Sequence, residues 1–76
     1  MIKISFAGYG VNTDTYDVTS QVTKMYADGI RQFPADNKKW GDPSPGHDKC
    51  LFIVWQNGSG ASGSAVVTEG RTITLP

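Results

Sequence analysis

His47 is the only histidine of the 76-residue chain, so any mechanism that pairs a serine or cysteine nucleophile with an imidazole base must use it. It lies in a segment rich in proline and glycine, beside Asp48 and three residues before Cys50, the only cysteine. A strand that begins at Cys50 does not aim its thiol at His47, and the Gly-x-Ser-x-Gly pattern of hydrolases does not occur. We therefore expect an exposed loop histidine, a small core cysteine and no enzyme.

Metal binding has less support than turn formation. A zinc site needs several cysteine or histidine ligands at defined spacing, and the chain has one of each. Residues that offer oxygen ligands to calcium do cluster in two segments: Asn12, Asp14 and Asp17, and then Asp36, Asn37, Asp42 and Asp48. The spacing of an EF-hand loop is not present, and these residue types form turns through local hydrogen bonds. We predict no metal and no cofactor.

Two aromatic residues, Tyr9 and Trp40, have glycine, asparagine and aspartate neighbours typical of loops. Positions typical of a core are occupied by Phe6, Phe33, Phe52 and Trp55. An exposed ring can cover the C–H face of a sugar while polar neighbours accept its hydroxyl groups, and a protein hot spot has the same anatomy. The alternative is that Trp40 folds back over one end of the sheet, because large aromatic side chains dominate small cores.

Charge and composition narrow the classes of partner. Seven basic and seven acidic residues give a net charge of zero, and no basic stripe is available to neutralise phosphates, so we predict neither nucleic-acid nor membrane binding. Neutrality also leaves self-association open. The start of the chain lacks the layout of a signal peptide, and a single cysteine makes no intrachain disulfide. We expect a cytoplasmic protein, or one exported without a classical leader.

Hydrophobic periodicity places short strands along most of the chain. Alternation over Ile2–Ala7 predicts a strand that ends at Gly8-Tyr9-Gly10, and the alternation restarts at Tyr16. Val22, Met25 and Tyr26 lie on one face of a short helix over about residues 20–28, which Gly29 ends. Further strands are predicted over 30–35, 50–56, 65–68 and 71–75, and an irregular segment over 36–49.

The strand Cys50–Gln56 is apolar on both faces, with Leu51, Ile53 and Trp55 on one side and Cys50, Phe52 and Val54 on the other. A strand of this kind is typically covered on both sides, so we expect something to cover each face. Together the elements predict one domain over residues 1–76 of the mainly β class. We expect a compact antiparallel sheet or a small β-sandwich of five or six strands, with one short α-helix.

Several short motifs follow one another along the chain in a fixed order. The chain carries Tyr9-Gly10, Asp17-Val18-Thr19, Trp40-Gly41, Asp42-Pro43-x-Pro45-Gly46-x-x-Lys49, Ile53-Val54-Trp55, Glu69-Gly70 and Ile73-x-Leu75-Pro76. This order resembles the domain at the C-terminus of DnaJ subfamily C member 11 chaperones and similar small microbial domains, over nearly the whole chain. The resemblance implies a β-rich module without enzyme activity, and by association a carbohydrate or surface-docking role.

These observations predict a non-catalytic binding module. The first hypothesis is a lectin-like carbohydrate-binding protein, whose low single-site affinity would gain from oligomerisation. Its predicted binding residues are Tyr9 and Trp40, which stack on the sugar, and the hydroxyl acceptors Asn12, Asp14, Asp42 and Asp48. The alternative is a protein-interaction or assembly module that docks a partner on an edge strand or on the Trp40 loop. A subunit or fragment of a larger enzyme ranks third.

Overall fold

The computed structural model describes residues 2–76, which contain six strands and two helices. The strands are β1 (Lys3–Val11), β2 (Asp14–Asp17), β3 (Gln32–Pro34), β4 (Cys50–Gln56), β5 (Ser62–Thr68) and β6 (Thr72–Thr74), and the helices are α1 (Thr19–Ala27) and α2 (Asn37–Trp40). The predicted mainly β class is confirmed. The second helix lies inside the segment that we expected to be irregular.

All strand pairs are antiparallel, and they form two sheets. The larger sheet has the order β2-β1-β4-β5, and the smaller one pairs β3 with β6. The predicted strand Cys50–Gln56 is confirmed residue for residue as β4, the inner neighbour of both β1 and β5. Backbone partners on both sides satisfy its N–H and C=O groups, and its Leu51 and Ile53 point into the core.

A single hydrophobic core lies on one side of the larger sheet. From the sheet it takes Ile4, Ala7, Tyr9, Leu51 and Ile53, and from the elements packed on the sheet Val18, Val22, Tyr26, Phe33, Ala35, Trp40, Ile73 and Leu75. The helix α1 and the β3–β6 pair therefore cover the same face. Because every fully buried apolar side chain is worth about 1.5 to 3 kcal/mol, this one layer supplies most of the favourable energy of the fold.

The other face of the larger sheet is left open, and a bulge explains why two phenylalanines lie there. The register of β1 against β4 shifts between Ile4 and Phe6, so Ile4 points into the core while Phe6 points away from it. The prediction that Phe6 and Phe52 are core residues is wrong: Phe6 is 37% exposed, and its ring stacks on that of Phe52 with centroids 5.6 Å apart. The expectation that both faces of β4 are covered is also wrong, because the core residues all lie on the side of Leu51 and Ile53.

The strand β1 does not end at Gly8-Tyr9-Gly10, as the sequence pattern predicted, but continues to Val11. Both glycines let a neighbouring group come close to the strand, and neither forms a turn. A Cβ on Gly8 would lie 2.6 Å from the tip of the Phe52 ring, and one on Gly10 would collide with the carbonyl oxygen of Asp14. Glycine is thus required at Gly10, where backbone atoms occupy the side-chain position, while at Gly8 it leaves room for the Phe52 ring.

The helix α1 begins and ends within one residue of the predicted 20–28. The carboxylate of Asp17 accepts hydrogen bonds from the backbone N–H and the hydroxyl of Thr19, at 3.0 and 2.6 Å. These bonds lower the pKa of Asp17, and the bond from the Thr19 hydroxyl contributes most. Gly29 ends the helix at φ 96°, a conformation that favours glycine. In residues 2–76 no helix is long and apolar enough to cross a membrane.

Candidate functional site

Tyr9 lies inside the core and not in a loop. Its side chain is fully buried on β1, and its hydroxyl donates a hydrogen bond of 2.6 Å to the side-chain carbonyl of Asn37. Burial is the main cause that raises the pKa of Tyr9, with the carboxylate of Glu69 adding to it. The predicted loop position of Tyr9 is therefore wrong, and its ring offers no face to a ligand in this fold.

Trp40 is buried as well, at the end of α2. Asp36 starts that short helix, since its carboxylate accepts the backbone N–H of Lys38. The turn carries the indole inward, where its N–H donates to the carbonyl oxygen of Pro34 at 2.6 Å and 8% of the residue is exposed. The prediction that Trp40 lies in a loop is thus wrong: the ring closes one end of the core, as the alternative expected.

The four predicted hydroxyl acceptors lie in two segments that meet at one end of the larger sheet, where Gly10 pairs with Cys50. Asn12 and Asp14 are exposed at the β1–β2 turn, where Asn12 takes the positive φ of 52°. Asp42 and Asp48 lie in the loop before β4. Among residues 2–76, no group of three or more histidine, cysteine, aspartate or glutamate side chains is arranged to hold a metal ion. The predicted site has no exposed stacking ring, because both Tyr9 and Trp40 are buried.

Lys49 joins the proline-rich loop to the β5–β6 turn. The side chain is 2% exposed, and its ammonium group lies 2.8 Å from Asp42 and 3.3 Å from Glu69 and donates to the carbonyl oxygen of Ser44 at 3.2 Å. The hydrogen bond to Asp42 is the main cause that raises the pKa of Lys49. The motif Asp42-Pro43-x-Pro45-Gly46-x-x-Lys49 thus has a structural role, because its charged ends bind each other.

Ser44 and His47 form a polar pair within the same loop. The serine hydroxyl and the Nδ1 atom of the imidazole lie 3.0 Å apart, the distance of a nucleophile and its base. Ser44 is only 6% exposed, however, and within residues 2–76 no hydrogen bond from the second ring nitrogen orients the imidazole. The pair closes a turn, in which the backbone N–H of His47 also donates to Ser44.

A shallow cavity of about 330 Å³ lies between β3 and the β5–β6 turn, lined by Pro34, Ala35, Asp36, Glu69 and Gly70. Both of its carboxylates already have partners, since Asp36 caps α2 and Glu69 binds the backbone N–H and the ammonium group of Lys49. A ligand there would compete with the contacts that hold the fold together. The cavity is therefore a weaker candidate than the open sheet face.

We call the side of the larger sheet opposite the core the outer face. It comprises Lys3, Phe6, Gly8, Gly10, Thr15, Asp17, Cys50, Phe52, Val54, Gln56, Ser62, Ser64, Val66 and Thr68, as the strand register and the alternation of side chains require. Val66 is 66% exposed, and Phe6 37%. Sequence reasoning missed this surface, although the alternation of Phe52 and Val54 with Leu51 and Ile53 already separated the two faces of β4.

The chain matches no family model, no curated protein and no solved structure. The resemblance to the C-terminal domain of DnaJ subfamily C member 11 chaperones stays a prediction. The centre of the outer face is apolar and carries no charge, and its rim is polar with Lys3, Asp17 and Gln56, the distribution that protein interfaces have.

Proposed function

We propose that the chain is a non-catalytic module that binds another protein through the outer face of its larger sheet. The observation that carries the proposal is that Phe6 and Val66 stay exposed on a sheet whose opposite face holds the whole core. Contiguous exposed apolar surface is uncommon on chains that act alone and is typical of interaction sites. Removing such surface from water is favourable at about 25 cal/mol per Å².

The chemistry of the outer face supports an apolar, uncharged protein surface as the partner. Its central side chains, Phe6, Phe52, Val54 and Val66, have no hydrogen-bonding groups. Binding of a sugar needs acceptors and donors for the hydroxyl groups beside the ring, and the centre of the outer face offers none. Carbohydrate binding therefore stays a prediction without a stacking pair, because Tyr9 and Trp40 are buried.

Val66→Lys is expected to weaken partner binding at least about tenfold, because it places a charge in the apolar centre of the interface. A matched control is Ile30→Lys, which adds the same charge at another exposed apolar residue, 42% exposed and outside the larger sheet. Both variants should melt as the wild type does. Quantitative mass spectrometry after capture from a lysate of the source organism should reveal proteins retained by the wild type and Ile30→Lys and lost with Val66→Lys.

Wild type, Val66→Lys and Ile30→Lys tested on a glycan array distinguish a protein partner from a carbohydrate partner. The proposal expects a flat glycan profile. A sugar signal that Val66→Lys abolishes and free sugar competes would assign the outer face to carbohydrate instead. Equal protein recovery with all three baits, together with unchanged folding, would show that the outer face is not the docking surface.

A further inference from the structure

The two edges of the larger sheet differ in how they are protected. At one edge, β2 has four residues, two of which are the aspartates Asp14 and Asp17. Short length and charge are the devices by which natural sheets prevent further strand pairing. At the other edge, β5 has seven residues without a charge, a proline or a register shift. One edge is therefore closed to a new strand while the other is open.

The pairing of β5 with β4 identifies its free backbone groups. The N–H of Glu69 donates to the carbonyl oxygen of Lys49 at 2.8 Å, so residues 49 and 69 are a hydrogen-bonded pair. In an antiparallel ladder such pairs alternate, so Gly63, Ala65 and Val67 also bond to β4. The N–H and C=O groups of the remaining β5 residues point away from the sheet, at Ser62, Ser64, Val66 and Thr68, and of these the carbonyl oxygen of Thr68 already accepts the N–H of Arg71 at 3.0 Å.

We infer that the open edge of β5 pairs antiparallel with β5 of a second copy of this chain. The four outward residues are arranged symmetrically about Ala65, so a two-fold axis at that residue sets Ser64 of one copy opposite Val66 of the other. This register sets all four residues opposite a partner and forms about six backbone hydrogen bonds without the Thr68 carbonyl oxygens, which Arg71 already engages. No charged side chain meets a like charge across the pairing, and the net charge of zero gives no long-range repulsion.

The pairing stops at two copies, because a two-fold contact uses the same edge of both chains and β2 protects the remaining edges. The axis runs perpendicular to the sheet, so both outer faces lie on the same side. Val66 of each copy then lies beside the neighbour's strand, and the two apolar surfaces become one. The inference goes beyond the proposed function, since it depends on the backbone edge and not on what the outer face binds.

Sedimentation velocity between about 1 µM and about 1 mM tests the pairing. The mass of the wild type is expected to rise from 8.2 kDa toward twice that value. Ser64→Lys should weaken the dimer at least about tenfold, because lysine on an edge strand opposes pairing and the two lysines lie near each other across the axis. Thr15→Lys, the same charge on the protected edge β2, should dimerise like the wild type.

Amide exchange of the wild type supplies a second readout that needs no variant. The N–H groups of Ser64 and Val66 should exchange at least about tenfold more slowly at about 1 mM than at about 10 µM, while those of Ala65 and Val67 stay protected at both. A monomer throughout the concentration range would overturn the inference. So would equal weakening by Ser64→Lys and Thr15→Lys, or a dimer that Phe6→Ser abolishes and Ser64→Lys leaves intact.

Discussion

Trp40→Ala is expected to lower the free energy of unfolding by about 3 to 5 kcal/mol, the range for truncating a buried tryptophan. The indole fills one end of the core at 8% exposure, and its loss also leaves the carbonyl oxygen of Pro34 without its donor. A domain of this length has only about 4 to 11 kcal/mol of stability in total. Urea denaturation followed by circular dichroism measures the change.

Ile30→Ala is the control for this measurement, because Ile30 is 42% exposed and lies outside the core. It should change the free energy of unfolding by less than about 1 kcal/mol. Similar values for the two variants would contradict the packing of Trp40. A loss of ligand binding in Trp40→Ala must be corrected for the unfolded fraction, so this variant does not by itself identify a sugar-stacking residue.

Lys49→Met is expected to lower the melting temperature on the order of 10 °C or more. It leaves Asp42 and Glu69 facing an apolar side chain and deprives the Ser44 carbonyl of its donor. The matched control is Lys24→Met, which breaks the exposed pair of Lys24 with Asp28 and should shift the melting temperature by about 2 to 4 °C at most. Differential scanning calorimetry of both variants makes the comparison.

The pH dependence of the same variants tests the charge of Lys49 separately. Its pKa is raised in the folded protein above the ordinary value of 10.5, chiefly by Asp42. The stability that the charged group contributes is therefore fully present below pH 10.5 and is lost as the pH rises through the folded pKa. The difference in melting temperature between wild type and Lys49→Met should shrink in that alkaline range, and a difference that stays constant would contradict the ion cluster.

Local patterns predicted those elements whose signals are local. The apolar run of β4 and the i, i+3, i+4 spacing of Val22, Met25 and Tyr26 each correspond to a single element, and both elements were found within one residue of the expected bounds. Ile73 and Leu75 are two residues apart in the predicted strand over 71–75, and both are buried on the same side. Such patterns report the face that an element buries, and that information is contained in a few neighbouring residues.

Residues whose place depends on tertiary contacts were not predictable in this way. The Gly8-Tyr9-Gly10 pattern is typical of a turn, yet the glycines are there because Phe52 and the backbone at Asp14 occupy the side-chain positions. A single bulge after Ile4 moved Phe6 from the core to the outer face. The burial of Lys49 depends on Glu69 as well as on Asp42 of its own motif, and Glu69 is 20 residues away in the chain.

Solvent accessibility of the Val66 methyl groups tests most directly whether the outer face is the binding surface. A soluble gadolinium chelate should relax the methyl NMR signals of Val66 strongly in the dilute isolated chain, and those of the fully buried Leu51 hardly at all. Addition of a partner recovered with the wild type and lost with Val66→Lys should then protect Val66. Methyl groups of Val66 that are already shielded in the isolated chain, or that stay accessible in the complex, would contradict the account.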